Sequence, residues 1–162
     1  MYREPPAQSP LVITALNGVL VAHDRMTGRP AWRFEATRTS AHTSPTLCIV
    51  EGPRVVSVSC KLPHTKWKSP NAASEINCLD YLTGRLLWTR DVTTHENINV
   101  YSATLLVEGG QVLLTHGDRL FACALEDGAL LWEQPLQGGM GEGHPKLSAL
   151  AVPGRAAQAD RR

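Results

Sequence analysis

One pattern occurs three times along the chain, and it constrains the fold more than any other feature. Each copy has an alternating apolar stretch, a polar turn that ends in glycine, and a tryptophan four residues after that glycine. Because the turns are too short for a helical crossover, the strands that flank each turn must be antiparallel. The copies are Val19–Phe34, Ile76–Arg90 and Leu120–Gln134, with the pairs Gly28 and Trp32, Gly84 and Trp88, and Gly128 and Trp132.

A second repeated unit precedes the second and third copies of this pattern. Ser44–Cys60 and Ser102–Gly117 each contain an apolar stretch, a Glu-Gly turn and another apolar stretch. Joined to the first pattern, this unit gives four antiparallel strands in roughly 45 to 55 residues, the size of a propeller blade. Valine, isoleucine and threonine dominate the apolar stretches, which favours strands over helices. The sequence therefore predicts an all-β propeller made of four-stranded antiparallel blades, with almost no helix.

The turn itself resembles the tryptophan-docking repeat of quinoprotein-like (PQQ-like) propellers, D-x-x-T-G-x-x-x-W. The resemblance implies that the repeated tryptophans and glycines are structural and pack between neighbouring blades. It does not specify a function, because the family holds dehydrogenases, outer-membrane assembly lipoproteins and sensor domains. In the third copy Ala124 replaces the aspartate and Asp127 replaces the threonine. The matching residues are Asp24, Thr27, Gly28 and Trp32, and then Asp80, Thr83, Gly84 and Trp88.

The predicted strands do not complete every blade. The chain opens with Leu11–Leu16, an Asn17-Gly18 hairpin turn and Val19–Asp24, which align with the second and third strands of a blade. The innermost strand of that blade is missing, and 144–154 resembles a lone innermost strand at the other end. We predict twelve strands, or three blades' worth, in residues 10–153, after an N-terminal extension at 1–9 and before a disordered tail at 154–162.

Three blades are too few to close a ring, because propellers typically have about four to eight. We expect a homodimer that forms one six-bladed ring, in which 147–152 of one chain pairs with Leu11–Leu16 of the other. The missing blades could instead come from a different partner chain or from a longer parent chain.

Four long connections, 36–43, 60–75, 91–100 and 135–144, are expected to emerge on one face of the propeller. Long loops on a rigid scaffold are where binding usually takes place. In the longest one Trp67 stands among four potential cations, and an exposed tryptophan in such a setting is typical of a hot spot for protein binding. The predicted partner-binding residues are Lys61, His64, Lys66, Trp67 and Lys68.

Charge and motifs exclude several other functions. Lysine and arginine total 16 against 15 acidic residues, so no electrostatic feature favours nucleic acid or an anionic membrane. The sequence has no phosphate-binding loop, no G-x-S-x-G motif and no closely spaced metal ligands. We therefore predict no catalytic residue, metal or cofactor, and a non-catalytic interaction or assembly module. The alternative function is a small-ligand or quinone-binding sensor domain.

The cysteines bear on the compartment. Cys48, Cys60, Cys78 and Cys123 are widely spaced and form no C-x-x-C pair, which indicates buried free thiols in a reducing compartment. A bridge between Cys48 and Cys60 across neighbouring strands is the alternative. Residues 1–10 lack the features of a secretory signal, so we expect a cytoplasmic protein if Met1 is the native start.

Overall fold

The computed structural model describes residues 8–37, 46–61, 73–93, 103–137 and 148–158, except for the side chains of residues 60, 61 and 158. These residues form thirteen strands and contain no helix. The strands are β1 (Leu11–Leu16), β2 (Val19–Asp24), β3 (Pro30–Glu35), β4 (Leu47–Glu51), β5 (Arg54–Lys61), β6 (Ala73–Asp80), β7 (Leu86–Thr93), β8 (Ala103–Glu108), β9 (Gln111–His116), β10 (Arg119–Ala124), β11 (Leu130–Pro135), β12 (Ala149–Val152) and β13 (Arg155–Gln158).

The strands assemble into antiparallel sheets that follow the repeats. The first blade has three strands, β1-β2-β3, and the second and third blades have four each, β4-β5-β6-β7 and β8-β9-β10-β11. Strands β12 and β13 form a separate two-stranded sheet, the C-terminal hairpin. The all-β fold and the four-stranded blades are confirmed, and within the described residues the first blade has three strands. Completion of a ring by a second chain stays a prediction.

Apolar side chains fill the spaces between successive blades. Between the second and third blades, Val56 and Ile76 pack in one buried cluster with Leu114 and Phe121. Leu20 and Leu79 belong to a second cluster, between the first and second blades. The second blade is therefore covered on both faces, and all but the last residue of β6 are buried. Alternation of apolar residues along each strand produces this packing, because successive side chains point to opposite faces of a sheet.

The repeated turns have nearly the same backbone in all three blades. Gly28, Gly84 and Gly128 have φ of 72°, 71° and 74°, a conformation that favours glycine. In the first two turns an aspartate caps the loop, since Asp24 and Asp80 each accept hydrogen bonds from the backbone N–H groups of the following turn. The third turn keeps the same fold with Ala124 at that position.

The C-terminal hairpin corrects two predictions. The sequence predicts a lone strand followed by a disordered tail from residue 154, but residues 155–158 form β13 and pair with β12. Pro153 and Gly154 supply the reason, because a Pro-Gly pair with glycine at φ 80° closes a two-residue turn. The sequence of β13 is Arg-Ala-Ala-Gln, and its two alanines give little apolar signal. The described residues therefore form thirteen strands, where the sequence predicts twelve. Strand β12 is paired with β13 within the chain and is not a lone strand.

The cysteines behave as core residues. Cys48, Cys78 and Cys123 are free, and burial raises the pKa of each thiol above its ordinary value. Cys48 lies opposite Ser57 in the β4–β5 ladder, so the alternative bridge to Cys60 is wrong. A buried thiol with a raised pKa is unreactive and packs as a small apolar group.

Candidate interaction surfaces

Each blade has two ends, which we name by their connections. The turn face carries the three glycine turns, and the loop face is the opposite end, where β5 ends and β6 begins. Of the predicted partner-binding residues, Lys61 is the last residue of β5 on the loop face. His64, Lys66, Trp67 and Lys68 lie outside the described residues.

Buried polar groups line the loop face beneath the long connections. Glu75, only 4% exposed, accepts a hydrogen bond from the backbone N–H of Thr37 at 3.0 Å and another from the Asn77 amide at 2.9 Å. Thr37 follows the last strand of the first blade, whereas Glu75 lies in the third strand of the second blade. This carboxylate therefore ties the first blade to the second.

A second polar contact on the loop face joins the second blade to the third. The Ser74 hydroxyl lies 2.5 Å from Nδ1 of His116, and both residues are fully buried. A serine beside a histidine is the arrangement of an activated nucleophile. Here, however, neither side chain has surface that a substrate could reach, so the contact fixes the positions of two strand ends.

A third polar contact joins the C-terminal hairpin to the third blade. The Thr104 hydroxyl donates to the Ser148 backbone carbonyl at 3.0 Å, and the hydroxyls of Thr115 and Ser148 are 2.6 Å apart. Together with the contacts of Glu75 and His116, these bonds make a row of buried polar links, here called the loop-face row. The row holds the strand ends from which the long connections leave.

On the turn face, tryptophan and glycine join successive blades. Trp32 donates from Nε1 to the Tyr81 carbonyl at 2.9 Å, and its ring lies against Gly84, where an added Cβ would be 2.5 Å from the indole. Trp88 repeats the contact one blade later, with the Leu125 carbonyl at 2.9 Å and an added Cβ on Gly128 at 2.5 Å. Only glycine leaves room for the indole at these positions.

One of the three tryptophans and one of the three glycine turns have no such partner among the described residues. Trp132 is 39% exposed and lies in β11, all of whose residues are exposed. Around Gly28, an added Cβ would meet nothing within 4 Å in the described part of the chain. The first blade thus presents an uncovered glycine turn, and the third blade presents an uncovered tryptophan.

The repeated strands and turns agree with a known family. The model of a PQQ-like repeat family, described as outer membrane protein assembly factor BamB, matches residues 4–152. The chain belongs to this family. No curated protein matches its sequence.

Solved structures of PQQ-like propellers resemble the chain in fold. A europium-containing methanol dehydrogenase matches at 17% identity and a TM-score of 0.54, over 79% of this chain and 23% of its own. The quinohemoprotein alcohol dehydrogenase ADHIIG from Pseudomonas putida HK5 matches at 13% identity and a TM-score of 0.59, over 92% of this chain and 29% of its own. The chain thus spans about a quarter of these relatives, and the likeness shows the propeller fold alone.

The BamB family name also appears in a solved structure. BamB from Moraxella catarrhalis matches at 13% identity over 94% of this chain and 56% of its own, with a TM-score of 0.39, which is too low to compare the folds. Within the described ranges, no helix is long and apolar enough to cross a membrane.

A cavity of about 320 Å³ lies between β4, β8 and β13. Its lining is apolar apart from Cys48 and Thr104, and no cationic side chain of the described residues lines it. The quinone cofactor implied by the family name carries several carboxylates, and a buried carboxylate needs a paired charge or metal. The described residues that line this cavity therefore do not fit that cofactor. The described part of the chain also holds no group of three or more residues able to bind a metal ion.

Sequence reasoning missed the loop-face row. Ser74, Glu75 and Asn77 occupy three of the first five positions of β6, a strand whose residues are buried as far as Leu79. Polar residues at positions that alternation assigns to a blade interior are the signal that could have found them. Ser74 and Glu75, however, bond to residues of neighbouring blades, and no local sequence motif indicates the packing that brings these residues together.

Proposed function

We propose that the chain is a non-catalytic PQQ-like propeller module that binds a protein partner through its loop face. The observation that supports this most is the loop-face row, which links three blades and the hairpin beneath the long connections. Rigid positioning of loop ends lowers the entropy that a binding surface loses on association. A protein partner agrees with the family description, which is that of an assembly factor.

The longest connection supplies the side chains for this contact. Lys61, His64, Lys66 and Lys68 surround Trp67 in the sequence, and tryptophan is among the residues that contribute most to protein interfaces. The basic residues favour a partner with an acidic surface, because complementary charge speeds encounter and fixes orientation. The chain as a whole is nearly neutral, so this attraction is local.

A small-ligand sensor is the second candidate, and the cavity between β4, β8 and β13 is the observation that favours it. Its apolar lining suits an uncharged ligand, not an anionic quinone. A saturable rise in melting temperature with an uncharged ligand would support this sensor. A similar rise with pyrroloquinoline quinone and calcium would show that the chain binds the cofactor despite the lining.

Affinity capture with three matched baits tests the loop-face proposal. The baits are the wild-type chain, Trp67→Ala, and Met26→Ala, which changes a residue that is 85% exposed on the turn face. We expect one or more proteins to be captured equally by wild type and Met26→Ala, and to be reduced about 30-fold with Trp67→Ala, since a tryptophan hot spot is worth about 2 kcal/mol or more. If Trp67→Ala retains every specific partner, the loop-face proposal fails.

A further inference from the structure

The two uncovered groups on the turn face are the two halves of one contact. We infer that Trp132 of one copy of the chain docks on the Gly28 turn of a second copy, so that the third blade of one chain packs against the first blade of the next. This interface lies at the blade ends and is independent of the loop-face contact. Its template is present twice within the chain, as Trp32 on Gly84 and Trp88 on Gly128.

The third blade presents its tryptophan as the first two blades do. Trp132 lies opposite Ala122, as Trp88 lies opposite Cys78 and Trp32 opposite Ala22. Each of these ladders has a register shift directly after that pair. The indole of Trp132 is therefore placed on its blade as the two docked indoles are, yet it remains 39% exposed.

The first blade presents the matching acceptor. Gly28 has φ of 72°, within a few degrees of the two glycines that carry a docked indole. The N–H of Arg25 donates to the Pro10 carbonyl at 2.9 Å. The two internal junctions have the same bond, from Tyr81 to Pro53 and from Leu125 to Gly110.

The carbonyl that accepts the indole can be identified from this equivalence. Tyr81 and Leu125 each use their own carbonyl to accept a tryptophan Nε1. The Arg25 carbonyl occupies the same place in the first turn, so it is the expected acceptor for Trp132. The indole ring would then cover Gly28, where an added Cβ meets no other described residue.

A second copy fits these ends because it brings both halves in equal number. Leu130 and Leu131 are 43% and 48% exposed beside Trp132, so docking would also remove apolar surface from water. A head-to-tail contact closes into a ring when its rotation divides a full turn, and otherwise it forms an open filament. Two copies related by a two-fold axis would use both junctions at once and leave no glycine turn or tryptophan uncovered.

The oligomeric state of the full chain tests this inference. Sedimentation velocity over a range of concentrations should show a dimer for wild type, and Trp132→Ala and Gly28→Ala should each raise its dissociation constant about 30-fold or more. Gly52→Ala is the matched control, because Gly52 also has positive φ, 55°, and open space around it, but lies in the β4–β5 turn. It should leave the dimer intact.

Mixing the two variants gives a sharper result. In a heterodimer of Trp132→Ala with Gly28→Ala, one junction is doubly altered and the other is wild type, so the mixture should associate more tightly than either variant alone. If Trp132→Ala does not fold, Trp132→Phe removes the Nε1 donor and keeps the ring. A wild-type chain that stays monomeric, or a dimer that survives both Trp132→Ala and Gly28→Ala, would overturn the inference.

Discussion

The internal junctions and the open ends of this chain are built from the same sequence unit, yet they differ in burial. Trp88 is half-buried on the glycine turn of the third blade, whereas Trp132 lies in a strand with every residue exposed. Strand β6, with a blade on either side, is almost wholly buried. The comparison shows that a blade's neighbours, more than its own sequence, decide how far its residues are buried.

The largest effect is expected from the junction tryptophan. Trp88→Ala should lower the free energy of unfolding by about 3 kcal/mol, near the low end of the range for a large aromatic residue because Trp88 is only half-buried. It removes the indole from Gly128 and the hydrogen bond to the Leu125 carbonyl. Urea unfolding at two protein concentrations measures the loss, which should be the same at both because the contact lies within one chain.

Trp132→Ala is the matched comparison for this experiment. At low protein concentration it should cost less than about 1 kcal/mol, since the side chain is exposed and no further four-stranded blade follows it among the described residues. If copies dock through Trp132, the cost should increase with protein concentration, because binding stabilises by mass action. Equal losses from Trp88→Ala and Trp132→Ala at low concentration would contradict the difference between junction and end.

An intermediate effect is expected from an arginine at the second junction. Arg54 donates from Nη1 to the carbonyls of Leu125 and Glu126, both at 2.8 Å, and so binds the turn that Trp88 covers. Arg54→Met keeps much of the side-chain length and removes these bonds. We expect a loss of about 1.5 kcal/mol in urea unfolding, the low end of the range for hydrogen bonds to a charged group, because the site is partly exposed.

Gln111 occupies the equivalent position in the third blade and serves as the control. It lies opposite Ala124, as Arg54 lies opposite Asp80, but among the described residues only the C-terminal hairpin, and no further four-stranded blade, follows the third blade. Gln111→Met should change the free energy of unfolding by less than about 0.5 kcal/mol at low protein concentration. A loss as large as that of Arg54→Met would mean that the position acts within its own blade and not across a junction.

The sequence predicts much of the fold because short-range features, the turn residues and the alternating apolar residues, define the strands of each blade. The Asn17-Gly18 turn and the flanking alternation give β1 and β2 with the bounds that the structure has. The third turn, which lacks the aspartate and threonine, still folds like the others, because Gly128 supplies the positive φ and Asp127 accepts from the Ala129 N–H at 2.9 Å.

The parts that escape prediction depend on contacts between distant residues. The C-terminal hairpin is anchored by Arg155, which pairs with Glu51 at 2.8 Å and donates to the Val107 carbonyl, and neither contact leaves a local pattern. The loop-face row likewise joins Ser74 to His116 across two blades. The conformation of the loop at 60–75 could not be predicted for a different reason. Its composition suggests what the loop binds, but it contains no repeated pattern that indicates how the loop folds.

The smallest effect concerns the aspartate caps, which should be independent of the junctions. Asp80 Oδ1 accepts from the Thr83 hydroxyl at 2.8 Å and from its N–H at 2.9 Å, and Asp24 makes the same contacts with Thr27. These bonds hold the pKa of both carboxyls below the ordinary value of 3.8. A lowered pKa stabilises the fold at pH values above the unfolded pKa of about 3.9, and this contribution is lost as the pH falls through the folded-state pKa.

Asp80→Asn should therefore lower the urea midpoint slightly at pH 7, and its difference from wild type should shrink as the pH falls below about 4. Asp24→Asn should change the urea midpoint by a similar amount and over the same pH range. Its turn is uncovered, however, whereas the turn of Asp80 lies under Trp32. Equal effects would show that the cap is a property of the turn alone. A markedly larger effect at Asp80 would show instead that the docked indole and the cap stabilise each other. A difference from wild type that widens in acid would contradict the lowered pKa of these carboxyls.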